Sequence, residues 1–327
     1  MRVVVADPMH EAGIDMLREL HDVRLFKADE ADACAQAVLD ADAVVVRTFK
    51  FDELLLERCT RLQAVVKHGA GVDNIDVDAA TRLGIVVANS GDANAQSVAE
   101  ASVTLMLAAL RHVPEMHRVV TEGRYAERWN VLLEGVGAKT LGIIGFGNIG
   151  RRVARMCAAG FDMNVLAFDP KVDAGTMSAA GVRKAVSLES LLEQSDVVSI
   201  HASLGASARC LLGREQIALM KPTAVLVNTA RGGIVDEQAL AEALRENRIW
   251  AAGLDVLEQE PPMLDNPLLA LSNVVLMPHV GGATEATRRL MATRSASAVI
   301  AVLDGRRPDY LLNVESWSKR RHGAGSA

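Results

Sequence analysis

The sequence of 327 residues is poor in the features that mark several classes of protein. Aromatic residues make up only 3% of it, which argues against the stacking platforms that bind single-stranded nucleic acid. Its 35 Lys and Arg against 41 Asp and Glu give a net charge of −6, a balance that attracts neither nucleic acid nor an anionic membrane. No apolar run approaches the roughly 18 residues of a membrane span. We therefore expect no nucleic-acid partner and no membrane association.

Cysteine is also scarce, and its spacing excludes two common uses. The four cysteines, Cys34, Cys59, Cys157 and Cys210, form no CxxC pair. The sequence therefore predicts neither a disulfide framework nor a metal site, and we interpret the cysteines as buried apolar fillers in a reducing compartment. The first residues, MRVVVAD, have strand character rather than that of a signal peptide, so we expect a cytoplasmic protein. The basic tail KRRHGAGSA (319–327) is expected to be a solvated charge run.

Short β-branched runs that alternate with helical patterns are the dominant feature of the sequence. Runs such as RVVVAD (2–7), TLGIIGFG (140–147) and NVVLMPH (273–279) are almost continuously apolar. Such runs are typical of parallel strands that are covered by helices on both faces. The alternation therefore predicts a doubly wound α/β architecture.

Two long helical stretches, at 95–124 and 283–305, interrupt this alternation. Each is long enough to cross between domains, and the chain exceeds the usual size of a single hydrophobic core. We therefore predict two domains. The outer domain is discontinuous and comprises residues 1–96 and 291–327, and the inserted domain comprises residues 97–290.

The strongest local motif is TLGIIGFGNIGRRVA, which carries G-x-G-x-x-G at Gly145, Gly147 and Gly150. After a strand and before a helix, the first glycine permits a tight turn, the second lets backbone approach a pyrophosphate, and the third lets helix pack on strand. Asp169 ends the next predicted strand, where a carboxylate accepts hydrogen bonds from a ribose and repels a 2′-phosphate. The motif predicts NAD rather than NADP as cofactor. The alternative is a glycine-rich turn with an incidental Asp that caps a strand.

Polar residues also follow three later strands. Arg231 stands in NTARGGIVD, Asp255 and Glu260 in GLDVLEQEPP, and His279 in MPHVGG. Because the carboxyl ends of strands line the ligand crevice of an open α/β sheet, we expect Arg231, Glu260 and His279 to converge. Taken singly, each has a structural interpretation: a solvated loop cation, a turn acid and a packed histidine.

These residue types, together with NAD, indicate a reaction. NAD accepts or donates a hydride, and the accompanying proton needs a group that titrates near neutrality, normally histidine. A neighbouring carboxylate orients the imidazole. Arginine grips a carboxylate with two hydrogen bonds and polarises a nearby carbonyl. The combination predicts oxidation of a 2-hydroxy acid or reduction of a 2-oxo acid.

The motifs and their order resemble those of the D-isomer-specific 2-hydroxyacid dehydrogenases, of the phosphoglycerate dehydrogenase and hydroxypyruvate or glyoxylate reductase type. The matching segments are KHGAGVDNID (67–76), SVAEASVTLMLAALR (97–111), KTLGIIGFGNIGRRVA (139–154), VNTARGGIVDEQAL (227–240), GLDVLEQEPP (253–262) and PHVGGAT (278–284). The resemblance implies a Rossmann nucleotide domain inserted into a flavodoxin-like substrate domain. It also implies a homodimer formed through the nucleotide domain. The segment HASLGASARC (201–210) departs from the family pattern, since Ser203 stands where proline is common.

The resemblance implies roles for individual residues. Arg231 is implied to bind the substrate carboxylate, His279 to act as acid and base, and Glu260 to be the partner of His279. The cofactor contacts that it implies are Gly145, Gly147, Asn148, Ile149, Gly150, Asp169, Pro170, His201, Ala202, Thr229, Ala230, Asp255 and Gly281.

Further substrate contacts are implied in the first part of the chain. Backbone amides near Ala70, Gly71 and Val72 are implied to hold the substrate carboxylate. Arg47 and Lys67 fall where the phosphoglycerate enzymes keep cations, which favours a second anionic group on the substrate. The alternative is that Arg47 binds the single carboxylate.

A non-catalytic NAD-sensing protein of the corepressor type is an alternative of a different class, because such proteins share this architecture.

Overall fold

The computed structural model describes residues 1–203 and 208–321 of the chain. Positions 204–207, in the segment that departs from the family pattern, and the tail from 322 lie outside the described residues. The strands are β1 Arg2–Val5, β2 Asp22–Leu25, β3 Ala43–Val46, β4 Ala64–Lys67, β5 Val86–Asn89, β6 Thr140–Ile144, β7 Asn164–Phe168, β8 Arg183–Lys184, β9 Val197–Ile200, β10 Val225–Asn228, β11 Ala251–Leu254 and β12 Val274–Leu276. The helices are α1 Glu11–Arg18, α2 Ala31–Leu39, α3 Glu53–Arg58, α4 Val77–Arg82, α5 Ala95–Leu110, α6 Val113–Thr121, α7 Asn148–Phe161, α8 Ala174–Ala179, α9 Leu188–Gln194, α10 Arg214–Ala218, α11 Glu237–Arg245 and α12 Glu285–Leu303.

The first of two compact units comprises Met1–Asn94 and the chain from Ala283 onward. Its five strands are parallel and lie in the order β2-β1-β3-β4-β5, which is the flavodoxin-like order. Both faces of the sheet are buried. On β3, Val44 packs with residues of α2, α3 and α4, whereas Val45 packs with residues of α1 and α12. Burial on both faces explains why these strands are continuously apolar.

The second compact unit comprises Ala95–Gly282. Its seven strands are parallel and lie in the order β12-β11-β10-β9-β6-β7-β8. The chain starts at β6 in the middle of the sheet, builds one half outwards and then the other, as in the Rossmann fold. Residues of α5 and α7 cover one face, and residues of α9, α10 and α11 cover the other. The predicted fold class, two doubly wound parallel sheets, is confirmed.

The crossings between the units differ from the predicted boundaries. The chain leaves the first unit at 94/95 rather than 96/97 and returns at 282/283 rather than 290/291. The return is early because α12 belongs wholly to the first unit, where it packs against α1, β3, β4 and β5. In the other long stretch, α5 and α6 are separated at His112, whose φ of 46° is left-handed. Pro114 stands in the first turn of α6, where the N–H that proline lacks has no intrahelical partner to lose.

Two strands and one cysteine depart from the sequence-based expectation. β2 and β8, with the sequences DVRL and RK, each form one edge of their sheet, and none of their residues is buried. Such edge strands bury little apolar surface, so they lack the continuous apolar runs that identify the others. Cys210 is exposed and has a left-handed φ of 51°, whereas the other three cysteines are buried as predicted. No helix in the described ranges is both long enough and apolar enough to cross a lipid bilayer.

Candidate active site

The glycine motif forms a tight turn between β6 and α7. Gly145 has a left-handed φ of 92°, and a Cβ there would lie 2.7 Å from the backbone nitrogen of Ala202. A Cβ at Gly150 would collide with the Gly145 carbonyl, so backbone packing requires both glycines. At Gly147, in contrast, a Cβ would meet nothing within 4 Å. No described side chain caps the N-terminus of α7, so its first N–H groups and the open backbone at Gly147 suit a phosphate.

Asp169 follows β7, and its carboxylate is bound to the same turn. Oδ2 accepts a hydrogen bond of 2.9 Å from the N–H of Phe146, and Oδ1 accepts one of 2.8 Å from the N–H of Lys171. A carboxylate oxygen can accept two hydrogen bonds, and each oxygen of Asp169 accepts one from these N–H groups. Asp169 therefore keeps acceptor positions for a ribose. The neighbouring Pro170 is exposed. Asp169 therefore fixes the glycine turn as well as ending the strand, a link that the motif did not predict.

The loops after β10 and β11 lie against each other. These strands are neighbours in the sheet, and β12 lies beside β11, so the carboxyl ends of all three adjoin. After β10, the Asn228 side chain donates a hydrogen bond of 2.8 Å to the Arg231 carbonyl. A Cβ at Gly232 would collide with the backbone of Leu257, so glycine is needed where the loops meet. This contact brings Arg231 close to the loop that carries Glu260.

His279 and Glu260 form a hydrogen bond of 2.7 Å between Nδ1 and Oε2. Burial raises the pKa of Glu260, but the hydrogen bond with His279 and the charges of His279 and Arg231 outweigh it and lower the pKa below its ordinary value. An ionised carboxylate only accepts hydrogen bonds, so Nδ1 carries a proton and Nε2 is the ring nitrogen that can exchange one. The side chains are 48% and 40% exposed, which leaves the imidazole accessible to a small molecule.

The backbone of His279 is held in an unusual conformation by Asp255. The φ of His279 is 54°, in the left-handed region that favours glycine. The Asp255 carbonyl accepts the His279 N–H at 2.8 Å, and the Asp255 carboxylate accepts the N–H groups of Val280 at 2.8 Å and Gly281 at 2.9 Å. Asp255 thus anchors the turn that presents the imidazole.

The same anchoring explains Gly281. A Cβ there would lie 2.7 Å from Asp255 Oδ2 and 3.2 Å from Ala101, so internal packing alone requires a glycine. The Ser97 hydroxyl also donates to the Gly281 carbonyl at 2.6 Å. Both carboxylate oxygens of Asp255 are engaged within the chain, and Asp255 is buried. Asp255 and Gly281 therefore both help to hold the His279 turn, a role that the sequence did not predict for them.

Two other histidines follow strands, and their surroundings differ from those of His279. Burial lowers the pKa of His201, after β9, to about 3, and its Nε2 contacts the Ser199 hydroxyl at 2.9 Å. Burial and the charge of Arg47 lower the pKa of His68, after β4, to about 4. Both rings are neutral near pH 7. Of these three histidines, His279 is the one with an ionised carboxylate partner and an accessible ring.

The remaining predicted cofactor contacts lie at the same edge of the second sheet. Ala202 follows β9 beside Gly145, and Thr229 and Ala230 follow β10 and are buried. The Thr229 hydroxyl lies 2.8 Å from that of Ser102 on α5. The sheet thus brings the predicted cofactor residues and Arg231, Glu260 and His279 to the carboxyl ends of its strands, as the topology requires.

The predicted cations of the first unit differ in their environments. Arg47 follows β3, its side chain is exposed, and no residue in the described ranges accepts a hydrogen bond from its guanidinium. Lys67 ends β4, and its ammonium donates to the Arg47 carbonyl at 2.6 Å and to the Asn74 side chain. Lys67 therefore holds the Arg47 loop, whereas Arg47 presents its charge outwards.

The loop after β4 has amides suited to an anion. Two of its carbonyls are engaged, since Ala70 accepts from the Asn89 side chain at 2.8 Å and Val72 accepts from the Ile75 N–H at 2.9 Å. Within residues 1–203 and 208–321, no acceptor receives the N–H groups of Ala70, Gly71 and Val72. Successive backbone N–H groups of this kind bind carboxylates and phosphates.

Comparison with known proteins agrees with this arrangement. Residues 103–281, which fall in the second unit, match the family model described as D-isomer specific 2-hydroxyacid dehydrogenase, NAD binding domain. A D-3-phosphoglycerate dehydrogenase of Methanocaldococcus jannaschii is 39% identical over 324 residues, 99% of this chain, and the chain spans 61% of that relative's length. A glyoxylate reductase of Korarchaeum cryptofilum is 40% identical over 322 residues, 96% of each chain.

A solved structure extends the similarity to the whole fold. The NADPH-dependent glyoxylate/hydroxypyruvate reductase of Sinorhizobium meliloti, crystallised with NADP and malonate, matches with a TM-score of 0.86 at 27% identity. The match covers 96% of this chain and 97% of that one. Together with the strand-end residues described above, these similarities establish that the chain belongs to the D-isomer specific 2-hydroxyacid dehydrogenase family.

Proposed function

We propose that the chain is an NAD-dependent oxidoreductase that interconverts a D-2-hydroxy acid and the corresponding 2-oxo acid. In this proposal, residues 95–282 form the nucleotide domain and the first unit is the substrate domain. The observation that carries it is the 2.7 Å hydrogen bond between Glu260 and the accessible ring of His279, at the strand edge that also bears Arg231 and the glycine turn. Buried glycines, an open backbone at Gly147 and a strand-end carboxylate support nicotinamide cofactor binding there.

The chain's own residues divide the work of the reaction. NAD supplies or accepts the hydride when it is bound. For reduction, protonated His279 donates the Nε2 proton to the substrate's carbonyl oxygen, and for oxidation the neutral ring takes the hydroxyl proton. Glu260 holds the Nδ1 proton and stabilises the charged ring. Arg231 binds the substrate carboxylate with two hydrogen bonds and draws electron density from the adjacent carbonyl.

The substrate proposed is a 2-hydroxy or 2-oxo acid, with a second anionic group favoured. Amides of Ala70, Gly71 and Val72 support binding of a carboxylate. The exposed charge of Arg47, whose own backbone N–H and carbonyl are both hydrogen-bonded, supports a second anion such as a phosphate. One relative is named for a phosphorylated substrate, as a D-3-phosphoglycerate dehydrogenase, and another for a substrate without a phosphate, as a glyoxylate reductase.

The proposed activity is tested by NADH oxidation with glyoxylate, hydroxypyruvate and 3-phosphohydroxypyruvate. We expect steady consumption of NADH with at least one of them, and a higher kcat/KM for the phosphorylated acid if Arg47 binds a second anion. Tight NADH binding without turnover of any 2-oxo acid would instead favour the NAD-sensing alternative. The enzymatic names of the relatives favour catalysis over that alternative.

We predict that the protein binds NADH more tightly than NADPH because the Asp169 carboxylate repels a 2′-phosphate. Like charges a few ångströms apart cost about 1–4 kcal/mol, so the preference should be roughly 5- to 10³-fold. Asp169→Asn removes the charge but keeps an oxygen for the turn, and it should reduce the preference to within a few-fold. Fluorescence titration with both cofactors measures the effect. Asp173→Asn, which alters an exposed helix-capping carboxylate nearby, should leave the preference unchanged, and equal affinity of the wild type for both cofactors would contradict the prediction.

We also propose a homodimer that forms through the second unit. Apolar side chains are strongly exposed along α6 and the segment after it: Val113, Val120, Tyr125, Trp129, Leu132 and Leu133. Exposed apolar side chains gathered in one segment are typical of a protein interface.

The dimer is tested by placing charges in this segment. Trp129→Glu combined with Leu132→Glu should convert a dimer into a monomer, because Trp129 and Leu132 are 80% and 75% exposed and become buried only in an assembly. Sedimentation equilibrium measures the change. Val186→Glu is a matched control, since Val186 is 91% exposed elsewhere in the same unit. A wild-type protein that is monomeric at micromolar concentration contradicts the proposal.

A further inference from the structure

Asp7 is a buried charged residue for which the proposed reaction has no use. It follows β1, is only 7% exposed, and forms no ion pair with a residue in the described ranges. Its carboxylate accepts hydrogen bonds from three successive backbone N–H groups, those of Arg47 at 2.7 Å, Thr48 at 3.0 Å and Phe49 at 3.4 Å. The Thr48 hydroxyl donates to it as well. Burial raises the pKa of Asp7, but these donors outweigh it, so the carboxylate is ionised at neutral pH.

The loop that Asp7 binds is also held from its other side. The Lys67 ammonium donates to the Arg47 carbonyl at 2.6 Å, and the Asn74 side chain donates to the Phe49 carbonyl at 2.7 Å. The Phe51 N–H donates to the Asn74 carbonyl at 2.8 Å, and the Phe51 side chain is fully buried. The backbone from 47 to 51 is thus fixed by groups from the loop after β1, from β4 and from the loop after β4.

The side chain of Arg47 contrasts with its backbone. It is exposed, and none of the described residues accepts a hydrogen bond from it. Arg47 also lies at the end of β3, which pairs with β1 although β2 separates them in the chain. Ligands of open α/β sheets bind at the point where the strand order reverses in this way. The buried Asp7 carboxylate therefore fixes three backbone amides at this point of the sheet, and one of them belongs to the exposed Arg47.

We propose that Asp7 is a positioning residue that fixes Arg47 for an anionic group of the substrate. The inference rests on the proposed function, in which Arg47 binds such a group. By holding the backbone of Arg47 before the substrate arrives, Asp7 removes an ordering cost from binding. It therefore affects how well substrate binds rather than the hydride or proton transfer.

The test is a double-mutant cycle on the full chain, with Asp7→Ala, Arg47→Ala and the double variant. Steady-state kinetics with NADH are measured for hydroxypyruvate and its 3-phosphate. Asp7→Ala should raise KM about tenfold, change kcat less than about twofold and leave NADH affinity unchanged. In the Arg47→Ala background it should add nothing to KM, because Asp7 acts through Arg47.

Two further variants separate positioning from general stability. Asp42 is a matched control: it is 4% exposed and accepts the Arg2 N–H at 2.7 Å, but it precedes β3 at the amino edge of the same sheet. Asp42→Ala should lower the melting temperature and leave KM unchanged. Asp7→Asn keeps one oxygen for the Arg47 and Thr48 amides, so it should restore most of the KM. If Asp7→Ala does not fold, Asp7→Ser, whose side chain is shorter than that of aspartate, replaces it in the cycle.

Each outcome decides the proposal. A rise in KM that disappears in the Arg47→Ala background supports it. Fully additive effects, an equal rise in KM for Asp42→Ala, or a wild-type KM for Arg47→Ala would overturn it while leaving the oxidoreductase activity intact. Absence of wild-type turnover with any of the 2-oxo acids overturns the proposed function itself, and the inference with it.

Discussion

Replacing His279 by alanine is expected to lower kcat about 10²- to 10⁴-fold, the usual contribution of a positioned acid–base group, while NADH still binds. Nδ1 of His279 lies 2.7 Å from Oε2 of Glu260 and donates its proton to that oxygen. Nε2 is therefore the nitrogen through which the reaction gains or loses its proton. Neither His68 nor His201 can replace it, because burial lowers the pKa of each to about 4 and about 3. Stopped-flow turnover and a separate NADH titration measure the two effects.

Glu260→Gln is the informative companion to that variant. Glutamine keeps an oxygen that accepts the Nδ1–H but carries no charge, so the imidazole stays oriented while its protonated form loses its anionic partner. Activity should remain measurable, but kcat for reduction should fall, since reduction requires the protonated ring that Glu260 stabilises. Near-normal turnover of His279→Ala, or a wild-type kcat for Glu260→Gln, would return the pair to a structural role.

Arg231→Lys is expected to lower kcat/KM for a 2-oxo acid by about 10²- to 10³-fold, although the charge is kept. Lysine lacks the planar fork that binds both carboxylate oxygens, and disrupting one partner of a desolvated, hydrogen-bonded charge pair costs about 2–5 kcal/mol. The Arg231 loop should keep its structure, because Asn228 binds its backbone and Gly232 packs it against Leu257.

Steady-state kinetics of Arg231→Lys and Arg231→Ala provide the measurement, with NADH affinity as a check on the nucleotide site. Arg214→Ala is the control, because Arg214 is an exposed arginine of the same unit that pairs with Glu242. It should have wild-type kinetics. Wild-type kcat and KM for Arg231→Lys would mean that the guanidinium does not bind the substrate carboxylate.

Part of the fold was predictable because its signals are local. The apolar runs of the buried strands and the left-handed Gly145 leave direct traces in the sequence. β2 and β8 left none, because an edge strand with the sequence DVRL or RK buries too little apolar surface to show a pattern. The second domain boundary was misplaced because residues 283–290 continue a helical pattern, and only the packing of α12 on the first sheet assigns them to that unit.

The sequence by itself determined two parallel α/β sheets, a glycine turn followed by Asp169, and polar residues at the ends of strands, because hydrophobic periodicity and glycine conformation act over a few neighbouring residues. Only the tertiary structure decided which polar residues hold the backbone of a loop and which residues have side chains exposed for a ligand. Asp255 fixes the left-handed turn at His279, and Asp7 fixes the backbone of Arg47. Asp255 and Val280 lie 25 residues apart in the chain, and Asp7 and Arg47 lie 40 apart. They meet only because the sheet order makes the strands before them neighbours.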